Sequence, residues 1–417
     1  MYRRIIIAIL LVFMSISITV AQDDSLPEDL PGRIAYVGED ANVYVLNLAA
    51  DELITLTDDA TATRRYQWPT WATNGKLAYF CCDPATADEI NVQVYISADG
   101  FAPGEEVYSQ QERLITYMYW APADCDSGNK CRDLALLLGG GSAFDVRLVR
   151  DSDSTSSDRL LGRGSPFYYS WSPDGGQLLT QRNNQRFDIF EVEAETSERL
   201  EPSPGLTQAP SWSPVDERVL IGVLDIEAQA TDLVVVEADD TLTVLAEDVT
   251  GFIGANWSPD GQRVAYRTLT EDYNDIFVLD AVNGEVVTRT READVIAFFW
   301  SPDSSKIAYV TPATTAGSIS TRAQQPDLEL SWSILDTASG ETWRYPRFTP
   351  TNEMIYMFNF FDQFAQSHSF WSPDSTHLVF AEVVSGDTGV ISLLDTEAPD
   401  AVPFSVANGV IGIWSYR

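Results

Sequence analysis

The chain has 417 residues, of which 45% are hydrophobic, 11% aromatic and 21% charged. That composition can build a large core and is not that of a disordered polymer. Its 26 basic residues face 62 acidic ones, a formal net charge of −36, which repels phosphate backbones and anionic lipid and so excludes nucleic-acid and membrane-surface binding.

In chain order, Arg3 and Arg4 precede an apolar run from Ile5 to Val20, and Ala21 stands before the acidic Asp23 and Asp24. A charged start, a short apolar segment and a small residue at the break read as a secretory signal at 1–21. The run of 16 residues is shorter than the roughly 20 that a spanning helix needs. No Cys follows it to carry a lipid. A short linker at 22–31 and one domain over 32–417 complete the expected organisation. The chain is expected to be exported to periplasm, cell surface or medium, with no stable membrane insertion after cleavage.

The domain begins with "GRIAYVGEDANVYVLNLAADELITLT", Gly32–Thr57, three short β-rich runs bounded by turn residues. Arg64 and Arg65 then enter a further strand that ends at Trp71. "LAYFCC" closes on Cys81 and Cys82, whose adjacency leaves a vicinal disulfide or free thiols. After Trp120 comes "APADCDSGNKCRD", Ala121–Asp133, where Cys125 and Cys131 bracket a polar loop, so an exported chain is expected to pair them. Asp151, Asp153 and Asp158 share the loop "RDSDSTSSD" with serines. Oxygen ligands suit calcium, but the glycine and closing glutamate of an EF-hand are missing, so the loop reads as a solvated linker. No metal and no cofactor is expected.

Further on, one string recurs: "SWSPDGGQLL" from Ser170, "NWSPDGQRVAY" from Asn256, "FWSPDSSKIAYV" from Phe299 and "FWSPDSTHLVF" from Phe370. Aligned tryptophans are Trp71, Trp120, Trp171, Trp212, Trp257, Trp300, Trp371 and Trp414, spaced by 49, 51, 41, 45, 43, 71 and 43 residues. Most of these spacings fit one four-stranded propeller blade. Ser-Pro-Asp-Gly is a type I turn, with Pro setting φ and Asp bonding locally. The indole supplies an apolar wedge between units. Because every unit repeats them, Asp174, Asp260, Asp303 and Asp374 read as turn residues, not catalysts.

The chain ends "ANGVIGIWSY", 407–416, a first strand and its Trp with nothing after. Gly32–Thr57 supplies the missing remainder, so the last strand is expected to close the ring against the first blade and remove open sheet edges. Eight tryptophans predict an all-β, eight-bladed propeller of four-stranded antiparallel blades.

These strings resemble the TolB-type, WD40-like β-propeller repeat, over essentially all of 32–417. The resemblance implies fold more than function. TolB itself is similar only in its propeller, which has six blades beside an N-terminal domain, so its partner does not carry over. Prolyl-oligopeptidase-type propellers share such repeats but carry a hydrolase domain. No G-x-S-x-G elbow stands in this chain.

Recognition in such a scaffold belongs to departures from the repeat. The Trp300–Trp371 unit is the longest and holds a polar loop at 311–327 and "TNEMIYMFNFFDQFAQSHSF", Thr351–Phe370. The latter is expected to enter an innermost strand. Its Tyr356, Phe358, Phe360, Phe361 and Phe364 either fill the blade or form an exposed patch for a partner. His368 and His377 are the only two histidines, which excludes centres that need several imidazoles. His368, placed on that strand, is expected to face the channel, with Ser367 and Ser369 pointing elsewhere, so no triad follows. The expectation is a non-enzymatic, monomeric scaffold binding an unknown protein partner or small ligand through Arg64, Arg65, Tyr356, Phe358, Phe360, Phe361, Phe364 and His368. The alternative is a glycan hydrolase or lyase using channel carboxylates and Arg.

Overall fold

The computed structural model describes residues 30–82, 91–123, 132–151, 157–270, 274–291, 293–313, 328–384, 386 and 388–417. Within them the chain is an all-β propeller. Six sheets have four antiparallel strands each, and each begins with an innermost strand ending at a repeat tryptophan. Those strands are Tyr66–Trp71, Leu114–Trp120, Phe167–Trp171, Ser211–Trp212, Phe252–Trp257 and Ala297–Trp300. The seventh sheet has six strands and joins the two ends of the chain.

The ring therefore has seven blades, not the eight four-stranded ones that the tryptophan count predicts. The cause is the C-terminal strand Phe404–Trp414, which is 11 residues long. Its first half pairs with Thr388–Asp395 through Val390↔Asn408 and Leu393↔Phe404. Its second half pairs with Arg33–Gly38 through Ile34↔Trp414 and Tyr36↔Gly412. One continuous strand thus fuses the Trp371 and Trp414 units into a single sheet. The closure beside the first strand is as expected.

The second correction concerns 351–370. This segment forms two helices, α1 (Asn352–Asn359) and α2 (Phe361–Phe364), not an innermost strand. Thr351 caps α1, its Oγ1 accepting from Met354 N at 3.3 Å as an N-cap does. In the Trp371 unit only isolated bridges, Ser369↔Trp414 and Trp371↔Leu378, stand where an innermost strand would run.

The repeat motif has a direct structural cause. In four turns the fourth residue's N–H donates to the serine carbonyl: Gly175 to Ser172, Gly261 to Ser258, Ser304 to Ser301 and Ser375 to Ser372, each at 2.9 Å. That fourth residue has φ between 63° and 73°, where glycine is at ease and serine is not. Serine gains something in exchange. Ser304 Oγ accepts from Asp260 N and Ser375 Oγ from Asp303 N, both at 3.1 Å, so each tethers its turn to the preceding blade's turn. The indoles tether blades as well. Nε1 of Trp120, Trp171, Trp257 and Trp371 donates to Thr70, Tyr119, Ser211 and Phe299 carbonyls on the neighbouring blade. Trp71, Trp212 and Trp300 have no such acceptor.

Candidate functional site: a plugged channel with one aromatic mouth

The helices α1 and α2 occupy the middle of the central channel and touch every blade. Gln363 is the clearest anchor. Its side-chain amide pairs with the backbone of Tyr169 as another strand would, Oε1 accepting from Tyr169 N at 3.1 Å and Nε2 donating to Tyr169 O at 2.7 Å. The Tyr117 hydroxyl lies 2.9 Å from the Gln363 carbonyl and 2.6 Å from Ser367 Oγ. Phe361 packs on Phe298 with ring centroids 4.8 Å apart. Phe364 packs on Tyr117 at 5.1 Å and Trp68 at 5.3 Å. Thr351 Oγ1 donates to Val410 O at 2.7 Å. A Cβ on Gly254 would fall 2.5 Å from Phe361, so the strand Phe252–Trp257 needs glycine where the ring crosses it.

Of the expected binding residues, Phe358, Phe361, Phe364 and His368 are buried in this plug, each at 2% exposure or less. They close the channel and do not form an exposed patch. Tyr356 and Phe360 are half-buried and pack on each other with ring centroids 5.1 Å apart. Arg65 and Tyr356 do come together, with Trp68, Glu353 and Cys82, around a recess of about 320 Å³ at the end of the channel where the inner strands begin. Arg64 is engaged elsewhere, bonded to Asp59 at 2.9 Å and to the Tyr66 and Tyr95 hydroxyls at 2.9 Å. Cys81 and Cys82 are joined as a vicinal disulfide, one of the two possibilities left open by sequence. Asp158 pairs with Arg147 at 2.7 Å, while residues 152–156 of that acidic loop, the Cys125–Cys131 pair, residues 314–327 and the signal segment lie outside the described residues.

His368 departs from expectation too. It follows α2 on a turn, so Ser367 is not on an opposite strand face: Ser367 Oγ lies 2.7 Å from His368 Nδ1, and Thr70 Oγ1 lies 3.1 Å from Nε2. Burial lowers the imidazole pKa to about 3, leaving it neutral. No carboxylate among the described residues orients the ring through either nitrogen. A histidine with that pKa is a weak base at neutral pH, far from the optimum for acid–base catalysis.

Beyond the plug, where the inner strands end, the channel widens into a cavity of about 350 Å³. Its wall is the repeat itself: the indoles of Trp71, Trp120, Trp171, Trp212, Trp257, Trp300 and Trp371, then Pro122, Pro173, Pro214, Pro259 and Pro302 of the turns. Ala365, Gln366 and His368 form its floor and Tyr416 joins its rim. Among the described residues that line it there is no Asp, Glu, Lys or Arg. Sequence reasoning assigned these tryptophans to packing alone. One signal could have revealed the cavity: a Trp-x-Pro in several successive blades necessarily places a ring of rings and prolines at one end of the channel.

One ionisable side chain of the plug is fully buried. Asp362 is fully buried, accepting from Ala209 N at 3.3 Å and Gln363 N at 3.1 Å. Burial raises its carboxyl from the ordinary 3.8 to about 7, with the nearby Arg267 acting in the opposite sense. The folded state therefore keeps a proton that the unfolded chain releases, and this residue's contribution to stability falls as pH rises from about 4 to about 7. Asp362→Asn is expected to gain on the native chain across that window by up to about 4 kcal/mol and to stay level above it. Urea unfolding at a series of pH values checks this; a constant difference between the two chains would contradict it.

No protein-family model and no curated protein matches the sequence. Among solved structures, the dihydro-heme d1 dehydrogenase NirN is similar at 14% identity and TM-score 0.56, over 94% of this chain and 77% of that one. A eukaryotic initiation factor is similar at 12% identity and TM-score 0.52, over 93% and 99%. TolB from Acinetobacter baumannii is similar at 14% identity and TM-score 0.40, over 85% and 83%. The chain is a β-propeller in its ring, and its repeat strings resemble the TolB-type repeat. At these identities the likeness is one of fold, and its neighbours include enzymes as well as non-enzymes, so function must be argued from the site. Among the described residues no helix is long and apolar enough to cross a membrane.

Proposed function

We propose that the chain is an exported, non-enzymatic binding scaffold whose ligand enters the tryptophan–proline mouth of the channel. One observation carries this reading. The chain's own helices fill the channel's middle, and what remains open is a concave, mainly aromatic cavity of about 350 Å³, within the range of small-ligand sites. A hydrolase or lyase working with carboxylates and arginines needs those groups at the reacting bond; the described lining of this mouth offers none, and the recess at the opposite end, with Arg65 and Glu353, is where that alternative would have to act.

Nile red, an uncharged apolar dye, tests the site without knowledge of the natural ligand. Wild type is expected to bind it with blue-shifted emission, and Ala365→Trp, which fills the floor of the cavity, to lose that signal while keeping its melting temperature. Equal emission from both would place apolar binding elsewhere. Turnover of any polysaccharide in a panel would favour the enzyme reading.

A further inference from the structure

We propose that the recess at the other end of the channel is a second site, which binds a free α-amino acid with a large apolar side chain. Arg65 takes its carboxylate, Glu353 its ammonium, and Trp68 and Tyr356 its side chain. The site is separate from the tryptophan–proline mouth and does not depend on it.

Among the described residues that line the recess, Arg65 and Glu353 are the only ones charged at neutral pH, one of each sign. They come from different elements: Arg65 directly precedes the strand Tyr66–Trp71, and Glu353 stands in the first turn of α1. Burial raises the Glu353 carboxyl above its ordinary value, while its own N–H and the Arg65 charge act in the opposite sense. The two side chains therefore feel each other, yet no ion pair or hydrogen bond joins them. The Arg65 guanidinium is exposed and has no acidic partner among the described residues. Arg64 beside it is the contrast, held by Asp59 and the Tyr66 and Tyr95 hydroxyls.

Opposite charges placed on one recess and left unjoined suit a ligand that carries both. An unpaired guanidinium fork matches a carboxylate with two hydrogen bonds. A half-buried carboxylate that has lost part of its water gains from an ammonium in its place. A zwitterion has no net charge, so it escapes the repulsion that a chain of net charge −36 imposes on free carboxylates. A single carboxyl, without the second that glycoside cleavage uses, fits binding better than turnover.

The rest of the wall suits an apolar side chain. Trp68 and Tyr356 are half-buried, so each keeps part of its ring open, and their ring centroids lie 5.4 Å apart. Leu114 and Val410 are half-buried as well, and the buried Phe80 and Ile115 complete the apolar lining. Trp68 has φ 48°, a conformation that a bulky side chain rarely adopts. It sits where the pairing register shifts between Gln67 and Thr70, an irregularity of the kind that re-aims a side chain. Backbone strain of this sort clusters at ligand sites. The volume of about 320 Å³ is within the range of small-ligand sites.

L-Phenylalanine, 3-phenylpropanoate and phenethylamine share one skeleton and differ by the ammonium or the carboxylate. Titration of the intact chain, followed by calorimetry and tryptophan fluorescence, is expected to show L-phenylalanine binding at least about tenfold tighter than either analogue, as the loss of one charged hydrogen-bonding partner implies. Arg65→Gln is expected to bring L-phenylalanine down to the affinity of phenethylamine, and Glu353→Gln to that of 3-phenylpropanoate, both with unchanged melting temperature. Should Glu353→Gln fail to fold, the three-ligand comparison and Arg65→Gln still decide. Ala365→Trp, which fills the opposite mouth, is expected to leave L-phenylalanine binding intact. Equal affinity for the three ligands, or no binding of L-phenylalanine, would overturn the assignment. Binding lost in Ala365→Trp but kept in Arg65→Gln would move the ligand to the mouth and overturn it as well.

Discussion

Phe361→Ala is expected to destabilise the chain by about 3–5 kcal/mol, among the largest effects of any single truncation. Phe361 is fully buried at the centre of the channel, packed on Phe298 and lying across Gly254. Removing the ring leaves a cavity that rigid strands from several blades cannot collapse to fill. It also strips the apolar cover from Arg267, whose guanidinium lies 5.0 Å from that ring centroid. Phe360→Ala serves as the comparison, since that side chain is only half-buried and should cost far less. Urea denaturation of both, with unchanged slope, measures the difference. Similar small losses from both would mean that 352–364 does not fill the channel.

Removal of residues 404–417 is expected to abolish cooperative unfolding and leave an aggregating product. The strand Phe404–Trp414 carries the hydrogen bonds of two neighbours at once, and its Ile411, Ile413 and Trp414 are buried. Without it Arg33–Gly38 and Thr388–Asp395 both become open sheet edges, which recruit other chains. The shortened chain should regain a sharp thermal transition when a peptide of sequence 404–417 is added in excess. A cooperative transition in the shortened chain alone would contradict closure by this strand.

The blade pattern was legible because it is local. A turn such as Ser258–Gly261 bonds within itself, and the strand that follows pairs with the strand before it, so each unit announces itself whatever its neighbours do. Blade number is not local. It depends on whether Phe404–Trp414 bridges two units, and nothing in that strand's sequence reveals a second partner. The plug was missed for a different reason. Its aromatic density reads as blade filling, and the β repeats on either side bias the reading toward a strand. Yet Met354, Met357, Phe358, Phe361 and Phe364 recur at three- and four-residue steps behind a capping Thr351, a helical spacing with a start signal. Of the expected binding residues, only Arg65 and Tyr356 meet at an open recess. Arg64 is held by Asp59, Tyr66 and Tyr95, partners that its position in the chain does not foretell.

The claim on which site and function both depend is that this segment lies inside the ring. Amide hydrogen exchange, read by mass spectrometry across 352–368, tests it most directly. Ile355 donates to Thr351, Phe364 to Phe360 and His368 to Phe364, short helical bonds that would exchange quickly on an exposed surface. Enclosed by the blades, they should exchange as slowly as the strand Phe252–Trp257 beside them. Exchange within seconds, at the rate of an open loop, would put the helices outside the channel and remove the floor of the proposed site.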